Sequence, residues 1–144
     1  MSPNELRLLA EMLSELEHPA IVRYVAHGVT ADGTYWLAME WLEGESLRER
    51  LARIGLTVAE SVTLVRRVAE AVGAAHARQM VHRDLKPSNL LLVGGDVAAV
   101  KVIDFGLARL VDPGARLTLT GALLGTPGYM APEQARAVPD VDAR

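Results

Sequence analysis

Three short runs hold most of the residues able to do chemistry: His82-Arg83-Asp84-Leu85-Lys86-Pro87-Ser88-Asn89, Asp104-Phe105-Gly106 and Ala131-Pro132-Glu133. The carboxylates of Asp84 and Asp104 and the amide oxygen of Asn89 are hard donors of the kind a small divalent cation takes. A carboxylate can also accept a proton, and the Lys86 ammonium is a compact charge that suits a phosphate. Each residue has a plain structural reading too. An aspartate after arginine is commonly half of a surface ion pair, and an asparagine behind Pro87-Ser88 is commonly a turn residue. Gly106 would serve as a turn glycine, and Phe105, the only phenylalanine, as core. The joint arrangement, rather than any one residue, points to a site.

The elements that must hold these runs are legible from periodicity. Ser2-Pro3-Asn4-Glu5 reads as a capping serine, a proline at the first helical position and a glutamate that reaches back to the cap. Leu6, Leu9, Leu13 and Leu16 then recur at helical spacing until His18-Pro19 stops the helix. Residues 21–26 and 35–39 are β-rich runs about a turn at Ala31-Asp32-Gly33, which predicts an antiparallel pair. A short polar helix is expected over 46–53. Thr57 and Glu60 form a second capping box, and Val58, Val62, Val65, Val68 and Val72 lay an apolar stripe on a helix running to about Gln79. Beyond it, 90–93 and 97–103 flank a Gly94-Gly95-Asp96 turn and predict a two-stranded ribbon. The stretch 104–133 shows little periodicity and reads as a long irregular loop.

Composition narrows the function classes. The 144 residues carry 15 basic and 18 acidic side chains, a net charge of -3, which gives no electrostatic footprint for nucleic acid or an anionic membrane. With no cysteine there are no disulfides or thiolate metal sites. No apolar run approaches the roughly 18 residues of a membrane span, and the N-terminus lacks the pattern of a secretory signal, so a cytoplasmic chain is expected. Length predicts a single folded unit.

The three runs, in this order and spacing, resemble the catalytic loop, DFG and APE signatures of eukaryotic-type Ser/Thr protein kinases, most closely the bacterial branch. The resemblance implies an α+β class and a partial protein-kinase-like fold: the regulatory C-helix, a strand pair, the hinge, two C-lobe helices, the catalytic loop and the segment from DFG to APE. Residues 1–42 would be the N-lobe remnant and hinge, and 43–144 the first half of the C-lobe. It further implies transfer of the γ-phosphate of ATP, with Mg²⁺, to protein Ser/Thr hydroxyls. By resemblance Asp84 orients the acceptor hydroxyl, Lys86 balances the transferring phosphate, and Asn89 and Asp104 supply oxygens to Mg²⁺. The run ending Met39-Glu40-Trp41-Leu42 is similar to the hinge, with Met39 as gatekeeper and the backbone from Glu40 through Trp41 to Leu42 facing adenine. Leu91 would floor the base and Ser46 would lie near the ribose. Lys86 and Thr126 are similar to the residues that mark the Ser/Thr group rather than tyrosine kinases. Arg83 implies control by phosphorylation of the loop, with Thr118 and Thr120 as candidate sites.

The pattern also departs from the family. Lys86 and Lys101 are the only lysines, and neither stands where the lysine that holds the α- and β-phosphates belongs. Leu9 holds the position of the C-helix glutamate, with Glu5 one turn earlier. The sequence therefore reads as a kinase domain truncated at both ends, lacking the glycine-rich loop and everything from the αF helix onward. It would expose apolar surface, with Val65, Val68, Val72, Leu13 and Leu16 as contributors, and so self-associate. The rival reading is a non-catalytic kinase-like binding module. A third, an aminoglycoside-type phosphotransferase, fits less well because that group carries glycine where Arg83 stands.

Overall fold

A computed structural model describes residues 3–105 and 127–136. Helix α1 spans Pro3–Ser14 and begins at its proline as expected, but it stops two residues before Leu16. Leu9, Leu13 and Leu16 all lie in the core. Strands β1 (Tyr24–Val29) and β2 (Tyr35–Met39) pair antiparallel, with a register shift between Tyr24 and Ala26. The run expected at 21–26 thus begins its ladder later. Ile21 and Val22 are buried instead against Val102. Ile21 bridges Val102 in parallel, the Val22 N–H donates to the Val102 carbonyl at 3.0 Å, and the Val102 N–H donates to Ala20 at 2.8 Å. Their β-forming character is used, but in another ladder.

The second sheet has three strands rather than two: β3 (Gly44–Ser46), β4 (Leu90–Val93) and β5 (Val100–Val102), all antiparallel. The extra strand requires Gly44. A Cβ there would lie 2.0 Å from the Leu92 carbonyl oxygen, inside any contact distance, so only glycine lets the backbones approach. Residues 97–99 form a single 3₁₀ turn before β5.

Ser46 ends β3 and caps helix α2 (Leu47–Arg53) in a capping box with Glu49. The Thr57–Glu60 box opens helix α3 (Val58–His76). The valine stripe faces the core only in its second half: Val58, Val62 and Val65 are exposed, whereas Val68 is buried with Leu64, Ala71 and Ala75, and Val72 packs against them. Successive helical residues point about 100° apart, and the small alanines let α3 pack close against the 97–99 turn and β5. The helix also ends at His76, short of Gln79, which has left-handed φ of 58°. A second 3₁₀ turn covers Pro87–Asn89, a third Pro127–Tyr129, and helix α4 is Pro132–Ala135. One apolar cluster runs from Leu9 and Leu13 through Ile21, Leu64, Val68, Leu90, Leu92 and Val102 to Phe105.

Candidate active site

The buried polar side chains among the described residues are His82 and Asn89, at 3% and 6% exposure. Buried polar groups need partners, and theirs assemble the site. The His82 ring stacks edge-on against Phe105, with centroids 4.6 Å apart. Its Nε2 donates to the Ile103 carbonyl at 2.9 Å, and its Nδ1 accepts the Asp84 N–H at 3.2 Å. Both bonds are met only by a neutral imidazole, and burial pushes its pKa below the usual histidine value, outweighing the Ile103 carbonyl and the charges of Asp84 and Asp104. The Asn89 backbone carbonyl in turn accepts the Ile103 N–H at 3.0 Å. Ile103, one residue before Asp104, is therefore held through both its N–H and its carbonyl by the loop that carries Asp84 and Asn89.

Within that loop the Asn89 amide nitrogen donates to the Asp84 carbonyl at 2.8 Å and to Asp84 Oδ2 at 3.0 Å. The Lys86 ammonium sits 2.7 Å from the same Oδ2. Asp84 is thus oriented by a neutral donor and a cation, and both partners are its near neighbours in sequence. Arg83 and Asp104 adopt left-handed φ of 64° and 62°. Non-glycine residues take that conformation at a cost and cluster where function constrains the backbone.

The residues expected to form the hinge occupy the segment from the end of β2 to the start of β3. Met39 closes β2 and is half-buried, while the Trp41 side chain points to solvent at 87% exposure. Ser46 lies opposite Leu91 on the β3–β4 ladder, and Leu91 lies opposite Lys101 on the β4–β5 ladder. These three share the sheet face away from buried Leu90, Leu92, Val100 and Val102. The Ser46 hydroxyl is already committed to Glu49 Oε2 at 2.7 Å.

Sequence reasoning missed two contacts. Lys101 forms an ion pair with Glu40, whose carboxylate also accepts the Arg23 N–H at 2.9 Å. Burial alone would raise the Glu40 pKa, but the Lys101 and Arg23 bonds hold it below the usual carboxylate value. Gln134 of α4 donates to the Arg83 carbonyl at 2.6 Å. The partners are 61 and 51 residues apart, and no local pattern signals either pair. Gly106, Thr118, Thr120 and Thr126 lie outside the described residues.

A family model of the protein kinase domain matches residues 3–140. This chain belongs to the protein kinase family. It is 41% identical over 131 residues to the serine/threonine-protein kinase pkn2 of Myxococcus xanthus, which covers 88% of this chain and 15% of that kinase. It is 42% identical to the kinase PknD of Mycobacterium tuberculosis, over 87% of this chain and 18% of the relative. The kinase PkaA of Streptomyces coelicolor is also 42% identical, over 96% and 26%. The chain therefore spans about a quarter or less of the length of these curated kinases. Among solved structures it resembles Rad53 in complex with AMP-PNP, with a TM-score of 0.73 and 30% identity, over 92% of this chain and 32% of that one. The mixed helix-and-sheet architecture is a partial kinase fold.

Asn89 and Asp104 carry oxygen donors of the type a magnesium nucleotide takes. Asn89 spends its amide nitrogen on Asp84, which leaves its carbonyl oxygen, a hard donor, for a cation. Among the described residues no group of three or more His, Cys, Asp or Glu side chains could hold a metal. A cation held by Asn89 and Asp104 would need further oxygens, which Mg²⁺ commonly takes from phosphate and water. No helix among the described residues is long and apolar enough to cross a membrane.

Proposed function

We propose that this chain carries the phosphoryl-transfer centre of a Ser/Thr protein kinase, with ATP as donor and a protein serine or threonine as acceptor. The observation that carries the reading is the Asp84 carboxylate held between Lys86 and Asn89, on a loop tied through Ile103 to Asp104. Asp84 accepts the proton of the acceptor hydroxyl and aims its oxygen. Lys86 lies near enough to the acceptor site to offset charge on the transferring group. Asn89 and Asp104 hold Mg²⁺, which when bound neutralises the phosphate oxygens. The backbone from Glu40 through Trp41 to Leu42, under the Met39 gatekeeper, receives adenine, and Leu91 underlies it. Ser46 lies beside Leu91 across the ladder, which supports a place near the ribose. Residues 1–42 correspond to N-lobe and hinge, and 43–144 to part of the C-lobe. Arg83 and Thr118, Thr120 and Thr126 are proposed to regulate and position the loop that follows Asp104.

Both lysines are engaged, Lys86 by Asp84 and Lys101 by Glu40, so neither is free to clamp the α- and β-phosphates. The 144-residue chain by itself is expected to transfer phosphate slowly. The test is radiolabelled ATP with a basic protein acceptor. Trace incorporation on serine and threonine that disappears in Asp84→Asn supports the reading. Incorporation indifferent to that substitution would overturn it.

A further inference from the structure

The peptide between Arg83 and Asp84 is held at both ends. Its N–H donates to His82 Nδ1 at 3.2 Å, and its carbonyl accepts from Gln134 Nε2 at 2.6 Å. Arg83 lies in the left-handed region, at φ 64°, and a strained non-glycine residue persists only where its neighbours over-determine it. The motion these two bonds oppose is rotation of that peptide plane, which would turn the Asp84 side chain with it. His82 comes from the same loop, one residue away, and cannot anchor the loop to anything but Ile103 and Phe105. Gln134 comes from α4, 51 residues on, and its amide works at both ends. Its Oε1 accepts the Ala131 N–H at 3.3 Å, in the reach-back position of a capping box, while its nitrogen holds Arg83. The same side chain that closes the first turn of α4 therefore fixes the backbone immediately before Asp84.

We infer that Gln134 is a positioning residue for Asp84: its amide locks the Arg83–Asp84 peptide and couples the placement of α4 to the aim of the Asp84 carboxylate. The catalytic consequence rests on the reading of Asp84 as the acceptor of the hydroxyl proton, but the lock itself does not. A consequence is that displacement of α4 frees the peptide, so the segment that carries α4 can retune Asp84 without touching it.

Gln134→Glu separates the two ends of the amide. It keeps an oxygen for the Ala131 N–H and an acidic group in the first helical turn, where it is tolerated, but it removes the donor to Arg83. Gln134→Met removes both. Hydrogen exchange of the Asp84 amide, compared with the Leu92 and Val102 amides in the same chain, reads the lock without nucleotide or turnover. Both variants are expected to speed Asp84 exchange by about tenfold, the scale of one ordinary hydrogen bond, with Leu92 and Val102 unchanged. Equal acceleration at all three amides would mean that Gln134 merely stabilises the fold, and no acceleration at Asp84 would mean that no lock exists. Either result overturns the inference. In the phosphotransfer assay, Gln134→Glu is expected to lower turnover with little change in the KM for ATP. If Asp84→Asn leaves transfer untouched, the reading of the site falls while the exchange result still decides the lock.

Discussion

The Asp84 carboxylate is useful only because its surroundings leave it one orientation. One of its oxygens meets both the Lys86 ammonium and the Asn89 amide, and its backbone N–H is held by His82. Within this group, burial displaces the titration of His82. It is buried and neutral, with its pKa displaced below the ordinary value of about 6.5. As pH falls through that value the unfolded chain takes up a proton that the folded chain still refuses, so stability declines from about pH 6.5 down to the lowered folded pKa and levels off below it. Protonation would also require Nδ1 to give up the Asp84 N–H. Urea unfolding followed across that range should show the decline, and His82→Leu should flatten it; an unchanged slope in the variant would assign the proton elsewhere. Residue identity made Asp84, Lys86, Asn89 and Asp104 legible in the sequence because their spacing is short and their chemistry restrictive. Gln134 was not legible, since a lone glutamine has no chemistry of its own until Arg83 is brought against it.

Elements place these residues through two ladders and an ion pair. The β3–β4–β5 ladder aligns Ser46, Leu91 and Lys101 on one face, and the Glu40–Lys101 pair ties the segment after β2 to β5, which ends two residues before Asp104. Lys101→Met should cost about 1–2 kcal/mol, because a partly buried carboxylate loses its cation but keeps the Arg23 N–H. Chemical denaturation measures this, and a variant as stable as the parent would show the pair to be incidental. Capping boxes and helical periodicity located α1, α2 and α3 within a few residues. They placed Val68 and Val72 on the core side of α3 correctly but misplaced its first half, because Val58, Val62 and Val65 look more like core than Ala71 and Ala75. Close packing selected the alanines, and hydrophobicity alone could not. The third strand was missed for a similar reason: Gly44–Ser46 is too short and polar to read as β, and it exists because Gly44 admits the Leu92 carbonyl.

At the scale of the molecule, one core extends from α1 to Phe105, so the segment after β2 and the loop that carries Asp84 share a foundation. Leu13 and Leu16 belong to that core and not to the exposed surface expected of them. Exposed apolar surface is present elsewhere, as a groove of about 410 Å³ lined by Leu47, Leu64, Val65, Val68, Ala69, Val72, Leu85 and Leu90. Apolar grooves of this kind favour association in water, so the 144-residue chain is expected to self-associate with rising concentration. Sedimentation would reveal it, and a sharp monomer at all concentrations would contradict it. The central claim is that Asn89 and Asp104 receive a metal together with a nucleotide. Its most direct test is a titration of Mg²⁺ and ATP, separately and together, followed by the chemical shifts of the Asn89 side-chain amide and the Asp104 backbone amide. Weak binding is expected, no tighter than the millimolar range, which corresponds to about 4 kcal/mol. The account predicts that both signals move strongly only when Mg²⁺ and ATP are present together, while ATP alone perturbs chiefly Glu40, Trp41, Leu42 and Leu91. Equal shifts of Asn89 and Asp104 with and without the metal would contradict it.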